Sequence, residues 1–244
     1  MTRFLLKISY DGTAYHGWQV QPNGITVQQI MCEKLNELTK EKISVTGCSR
    51  TDAGVHANEF YCHFDTFHAL PEIAYVKGLN AILPDDIAVI SCRKVDSDFH
   101  ARYNAKSKEY IYKFYDGDSP NPFLKRYTLS VPTKLNVDLM AEFCEKMVGT
   151  YDFCGFSSSK RTVTDTVRTV QSCSVTREGD VVTLKIAADG FLYNMVRIVA
   201  GTALDVSNGK IKNADIIDII NSKQRERAGA TLPPHALYLN KVIY

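Results

Sequence analysis

The segment Gly47-Cys48-Ser49-Arg50-Thr51-Asp52-Ala53-Gly54-Val55-His56-Ala57 places an arginine, an aspartate, a glycine and a histidine on one short stretch. A carboxylate held on such a loop can act as a nucleophile or a general base. The same residue types also build ordinary turns. Asp and Thr side chains bond their own backbone, and Gly accepts a positive φ. Taken alone, the composition favours the turn. A second stretch, Asp11-Gly12-Thr13 after an alternating run, suggests phosphoryl transfer through a D-x-D-G-T pair. Ser9 stands where the first acid of that pair would be, and the chain has no G-x-x-x-x-G-K-[ST] loop.

Metal and disulfide chemistry are not expected. The seven cysteines (Cys32, Cys48, Cys62, Cys92, Cys144, Cys154 and Cys173) are odd in number and contain no C-x-x-C. Most lie in apolar runs and read as small core residues of a reducing compartment. The six histidines show neither H-x-x-x-H nor H-E-x-x-H spacing. Cys62 and His63 are adjacent, which on a strand points them to opposite faces.

The elements that must carry these residues follow from periodicity. Phe4, Leu6, Ile8 and Tyr10 alternate, so Arg3–Tyr10 is a predicted strand. A Gly/Pro/Asn loop runs to Gly24. Thr26-x-x-Gln29 is a capping box, with Ile25 placed to staple onto Ile30. Val27, Ile30, Met31, Leu35 and Leu38 follow helical spacing. A short strand is expected at Ile43–Thr46, before the loop Gly47–Ala57. Phe60, Cys62 and Phe64 mark another strand, and Pro71 opens a helix to about Ile82. Strands are expected at Ile87–Lys94 and Lys108–Tyr115, where Tyr110, Tyr112 and Phe114 share one face. Asp116–Asn121 reads as a linker. Beyond it come a helix at Val137–Met147, a hairpin of Thr166–Thr176 and Val181–Ala188, helices at Phe191–Val206 and Ile211–Asn221, and a strand at Leu237–Ile243. Helices separated by pairs of strands imply an α+β fold with a largely antiparallel sheet. The expected division is residues 1–115 and 116–244.

Composition limits the class. The 244 residues are 45% hydrophobic and 23% charged, as in globular proteins. No run reaches the length of a membrane span, and the start becomes charged too soon for a signal peptide, so a cytoplasmic protein with no membrane partner is expected. With 29 basic and 27 acidic residues the net charge is only +2. That permits a nucleic-acid partner without requiring one.

The Arg50–Ala57 stretch resembles the R-T-D-A-G-V-H-A motif of the TruA-type pseudouridine synthases, which isomerise uridine in the tRNA anticodon arm. The resemblance extends over almost the whole chain. Its other blocks are Tyr10-Asp11-Gly12-Thr13-Ala14-Tyr15-His16-Gly17-Trp18-Gln19-Val20-Gln21 followed by Thr26-Val27-Gln28; Phe99-His100-Ala101-Arg102-Tyr103 running on to Lys108–Tyr112; Asp189-Gly190-Phe191-Leu192-Tyr193-Asn194-Met195-Val196-Arg197; and Arg227-Ala228-Gly229-Ala230-Thr231 continuing to Ala236-Leu237-Tyr238-Leu239. Ser49 departs locally, where many members have Gly.

The resemblance implies a pseudouridine-synthase fold with two ferredoxin-like halves around a catalytic cleft. Asp52 corresponds to the nucleophilic aspartate. It attacks the ribose or the uracil ring, or assists departure of the base. Tyr110 corresponds to the tyrosine that stacks on the target base, where its hydroxyl can move a proton. Apart from the family, Tyr110 reads as an ordinary sheet aromatic. Arg197 corresponds to the arginine paired with the catalytic carboxylate. Its run Met195-Val196-Arg197-Ile198-Val199 is so apolar that a paired arginine is favoured over one snorkelling to the surface. Arg50 corresponds to the arginine that fills the place of a flipped base; otherwise it is a phosphate contact. His56 is given a structural role in the loop, and Leu237 lines the pocket or is plain core.

RNA affinity is expected from Arg102, Lys106 and Lys108; from Lys160, Arg161 and Arg168; and from Lys223, Arg225 and Arg227. The family further implies tRNA positions 38, 39 and 40 as targets, a homodimer whose clefts use both chains, and neither cofactor nor metal. Two other readings stay open: a synthase of the same family acting on another RNA such as ribosomal RNA, and an RNA-binding protein without catalysis.

Overall fold

The computed structural model describes residues 1–158 and 163–244. In chain order the elements are β1 (Thr2–Tyr10), α1 (Val27–Thr39), β2 (Thr46–Gly47), β3 (His56–Thr66), α2 (Glu72–Ile82), β4 (Ile87–Val95), β5 (Ser107–Tyr115), β6 (Leu129–Ser130), α3 (Val137–Met147), β7 (Gly149–Asp152), β8 (Val167–Glu178), β9 (Val181–Ala188), α4 (Met195–Ser207), α5 (Ile216–Ser222) and β10 (Leu237–Ile243). The fold class is α+β. Among the described residues no helix is long and apolar enough to cross a membrane.

The chain divides into two compact units, Met1–Lys106 with Tyr238–Tyr244, and Ser107–Leu237. The division falls at Lys106/Ser107 rather than at the Asp116–Asn121 loop. That loop is tied into the second unit through Asp116, whose buried carboxylate accepts from both Arg177 Nη atoms at 2.8 and 2.7 Å and from the Leu135 N–H at 2.9 Å. Burial pushes this carboxyl up, but the Arg177 and Leu135 bonds outweigh it and hold the pKa down at about 2.

In the first unit the strand order is β4-β1-β3-β10, with β2 added to β3. β1 pairs antiparallel with β3 and β4, while β10 runs parallel to β3. The register sets Phe4 opposite Phe64, Leu6 opposite Cys62 and Ile8 opposite Phe60. This face is the core. Phe4, Phe64 and Tyr75 of α2 form one aromatic group, with centroids 4.8–5.8 Å apart. Trp18, Phe60 and Tyr10 form a second, in which Trp18 stacks on Phe60 at 4.1 Å. Leu5, on the other face of β1 and opposite His63, is buried as well. The opposite face is also covered, by residues 99–101 and Tyr244. The Tyr244 hydroxyl donates to the Ala101 carbonyl at 2.7 Å, and the Tyr244 ring meets Tyr61.

In the second unit the order is β5-β9-β8-β7, antiparallel throughout, with β6 parallel to β5. α3 packs on β8 and on α4. The β8–β9 turn is tighter than expected. The ladder continues to Glu178 opposite Val181, so Gly179-Asp180 alone turns the chain, with Gly179 at φ +59°.

Several boundaries shift for local reasons. Thr26 caps α1 by accepting the Gln29 N–H at 3.3 Å, but the Gln29 side chain bonds Glu33 instead of closing the box. Ile25 is 54% exposed and is not a buried staple. Strand pairing near residue 46 is limited to Thr46–Gly47, and β3 starts at His56, inside the expected loop. α4 starts four residues later than the apolar run suggests, because Asn194 is left-handed (φ 61°). The expected Ile211–Asn221 helix begins as a 3-10 turn at Asn213–Asp215 and becomes α5 at Ile216.

Candidate active site

Asp52 lies in the turn between β2 and β3, and the chain before α1 fixes that turn. The Val55 N–H closes on the Asp52 carbonyl at 3.2 Å. The Trp18 N–H donates to the Thr51 carbonyl at 3.2 Å, and the Gly54 N–H to the Tyr15 carbonyl at 3.2 Å. The Tyr10 and Thr51 hydroxyls are 2.9 Å apart. Two glycines set the closeness of this packing. A Cβ on Gly12 would lie 2.1 Å from the Val55 carbonyl oxygen, and one on Gly17 would lie 2.4 Å from that of Thr51. Gly17 is also at φ +81°. The backbone of residues 12–18 is therefore pressed against the backbone of residues 51–55. Trp18 itself is buried and stacked on Phe60.

His56 is buried at the start of β3 and stacks on Tyr238 of β10 at 4.7 Å. Its Nδ1 lies 3.0 Å from the Gly12 N–H and 3.0 Å from an Asp11 carboxylate oxygen. One nitrogen cannot accept from the first and donate to the second at once. The same Asp11 oxygen already accepts from the Thr13 N–H and hydroxyl. Nδ1 is therefore assigned as the acceptor for Gly12. In this arrangement His56 ties the 12–18 segment to the 47–55 loop. Arg50 and Ala53 are exposed, Asp52 is half-buried, and Thr51 and Val55 are buried.

In the second unit β5, α4 and residues 232–237 meet. Tyr112 is fully buried, and its hydroxyl donates to the Pro233 carbonyl at 2.9 Å. Burial pushes that phenol's pKa up, with nearby Arg197 opposing. Arg197, half-buried in the first turn of α4, donates from Nε to the Leu232 carbonyl at 2.6 Å and from Nη1 to Asn194 Oδ1 at 2.7 Å. Tyr110 lies two residues back from Tyr112 along β5. It is 7% exposed, with its ring edge-on to Phe191 at 5.0 Å. Leu237 is buried where residues 232–237 enter β10. Behind Arg197, α4 touches residues 229–230 backbone to backbone. A Cβ on Gly201 would lie 2.0 Å from the Ala230 carbonyl oxygen, and the Gly229 N–H donates to Thr202 Oγ1 at 2.9 Å.

A family model described as tRNA pseudouridine synthase matches residues 7–104 and 143–244. Proteins named tRNA pseudouridine synthase A align along the full length. That of Bacillus licheniformis is 45% identical over 99% of both chains. Those of Acetivibrio thermocellus and Thermoanaerobacter sp. are 44% and 41% identical over 100% of both. This chain belongs to the tRNA pseudouridine synthase family. A chain from a solved Cbf5-Nop10-Gar1 complex aligns at 15% identity and a TM-score of 0.34, over 82% of this chain and 45% of its own, a likeness too slight to carry weight.

Within this tRNA pseudouridine synthase family member the structure places the candidate residues in two sets. Arg50, Asp52 and His56 lie on or beside one loop of the first unit, and Arg102 lies in the same unit. Tyr110, Arg197, Leu237 and Arg168 lie in the second. Arg168 donates to the Asp165 and Val167 carbonyls and rests against Gly190, next to Phe191. Arg102 is exposed, with its guanidinium 5.8 Å from the Tyr103 ring centroid. Other basic residues expected to serve RNA are, like Arg168, engaged within the chain. Arg227 donates to the Asp218 carbonyl at 3.4 Å. Arg225 donates to the Ala228 and Gly229 carbonyls and to Thr231 Oγ1, and burial pulls its pKa down. Lys223 pairs with Asp152 at 2.7 Å. Lys160 and Arg161 lie outside the described residues. Residue types alone did not reveal the part played by Gly12 and Gly17. Their sequence signal was two glycines in a turn-like stretch within one of the blocks that resemble the family. Among the described residues, no group of three or more His, Cys, Asp or Glu side chains is placed to hold a metal ion.

Proposed function

We propose that this protein isomerises uridine to pseudouridine in tRNA, at positions 38, 39 and 40 of the anticodon stem-loop, with Asp52 as the nucleophile. The bond from ribose C1′ to uracil N1 breaks, the base rotates, and C1′ bonds C5. The C5 proton leaves and N1 gains one, so the product is an isomer and no redox partner is required. Arg197 holds the Asp52 carboxylate ionised and oriented. Tyr110 stacks on the uracil ring, and its hydroxyl moves a proton. Arg50 occupies the space left by the extruded base. Leu237 bounds the pocket, while Arg102 and Arg168 meet phosphates.

The observation that carries this reading is the construction around Asp52. A half-buried carboxylate sits on a turn clamped by glycine contacts too close for any side chain, beside an exposed arginine. An ordinary surface turn has no need of that precision. Full-length similarity to proteins named tRNA pseudouridine synthase A supports tRNA as the substrate. The enzyme is read as a cytoplasmic homodimer, in which basic residues of two copies serve one RNA and offset a net charge of only +2.

The test is pseudouridine formation on an unmodified tRNA transcript, mapped by position, with wild type and Asp52→Asn side by side. Wild type is expected to modify positions 38 to 40, and Asp52→Asn to bind tRNA without turnover. Turnover by Asp52→Asn near the wild-type rate would overturn the assignment of the nucleophile. Wild-type activity on ribosomal RNA fragments but not on tRNA would overturn the substrate.

A further inference from the structure

We infer that Asn194 is the positioning residue for Arg197, an inference that rests on the reading of Asp52 and Arg197 above. Asn194 immediately precedes α4 in the left-handed region, at φ 61° and ψ 7°. An asparagine at this place ordinarily adopts extended backbone and turns its Oδ1 back onto an N–H of its own helix. Asn194 makes no such cap bond. Its Oδ1 instead accepts from Arg197 Nη1 at 2.7 Å, and its Nδ2 donates to Ser158 Oγ at 2.8 Å. The amide thus links the guanidinium to a second segment. That segment is anchored to the same turn, because the Ser158 N–H donates to the Tyr193 carbonyl at 3.2 Å.

Two local preferences are given up here, a helix cap and a relaxed φ. Strain of this kind persists where the surroundings over-determine it, and it clusters at functional sites. What is obtained is a guanidinium held from two sides. Nε is fixed by the Leu232 carbonyl and Nη1 by Asn194. Two contacts on different nitrogens set both the position of the plane and its rotation. A carboxylate that binds a guanidinium side-on is sensitive to that rotation. Asn194 need not touch the RNA. It acts through Arg197 on the orientation and charge of Asp52.

The experiment uses the full-length protein with Asn194→Gly, Asn194→Asp and, in parallel, Asp52→Asn. Glycine accepts the left-handed backbone at least as well as asparagine, so Asn194→Gly should fold normally while losing the amide. Asn194→Asp keeps an acceptor for Arg197 but adds a charge that competes with Asp52 for the guanidinium. Both are expected to bind tRNA with an unchanged Kd and to lose roughly 10–100-fold in single-turnover rate. The acid limb of the pH–rate profile should move up in both, because a less well paired carboxylate holds its proton to higher pH.

A role confined to the backbone predicts that Asn194→Gly retains the wild-type rate and pH profile, and that result would overturn the inference. Loss of rate accompanied by an equal loss of tRNA affinity would overturn it too. An active Asp52→Asn would instead defeat the underlying reading of the site, whatever the Asn194 variants do.

Discussion

Replacing Gly17 by alanine puts a methyl group where the backbone of the Asp52 loop already lies. The new Cβ would be 2.4 Å from the Thr51 carbonyl oxygen, 3.0 Å from the Asp52 carbonyl carbon and 3.2 Å from the Ala53 nitrogen. Ordinary contact begins near 3.4 Å, so the loop must retreat by about 1 Å. None of the three atoms belongs to a flexible side chain that could swing aside. The left-handed φ of +81° adds about 1–2 kcal/mol for a residue with a Cβ, and overpacking adds about 1–3 kcal/mol. The expected loss of stability is therefore about 2–5 kcal/mol. A 1 Å displacement of a reacting group costs on the order of 100-fold in rate. Single-turnover pseudouridine formation on a tRNA transcript measures the second effect, and urea unfolding the first. Gly179→Ala is the control. Gly179 is also left-handed, at φ +59°, but a Cβ there meets nothing within 4 Å. It should lose about 1 kcal/mol and no activity. If Gly17→Ala turns over within a factor of about three of wild type, the clamped-loop reasoning is wrong.

Further outcomes follow from single side chains. His63 is buried, its Nδ1 accepts the Ala101 N–H at 3.1 Å, and burial, then Arg3 and His100, push its pKa down to about 4 from 6.5. Only the unfolded chain takes up this proton between pH 6.5 and 4. Stability should therefore fall with pH across that window, by roughly 3 kcal/mol, and level off below it. Denaturant titrations of His63→Gln should lack that one-proton slope; an unchanged slope would assign it elsewhere. Arg225→Ala should destabilise by about 2–3 kcal/mol while leaving the salt dependence of tRNA binding unaltered. A shallower salt slope for Arg225→Ala would return it to the RNA surface.

Much of the architecture was legible because each element has its own period. The alternation of Phe4, Leu6, Ile8 and Tyr10 places β1. The spacing of Val27, Met31 and Leu35 places α1, and the limits of α3 match expectation residue for residue. Periodicity was less informative where a single backbone angle decides the matter. Phe191 to Val206 is apolar throughout and reads as one helix, yet Asn194 at φ 61° delays α4 to Met195. Nothing in hydrophobic patterning encodes that angle. Leu5 gives a similar case. It lies opposite His63, off the face of Phe4, Leu6 and Ile8, yet it is buried; on that same face His63 accepts the N–H of Ala101, remote in sequence.

Residue order, spacing and motif were enough for the fold class and the family, and they nominated the candidate residues. What each charged group does with its hydrogen bonds is visible only in the folded chain. Arg197 and Arg225 are both arginines near apolar or glycine-rich stretches, and spacing does not distinguish them. One is aimed by Asn194 and the Leu232 carbonyl, while the other spends its donors on the carbonyls of residues 228 and 229. Gly12 and Gly17 are likewise turn residues in the sequence, and only in three dimensions do they press on the Asp52 loop. The reason is physical. Periodicity records which side chains leave water, whereas a hydrogen-bond partner or a 2 Å approach depends on segments that meet only when the chain has folded.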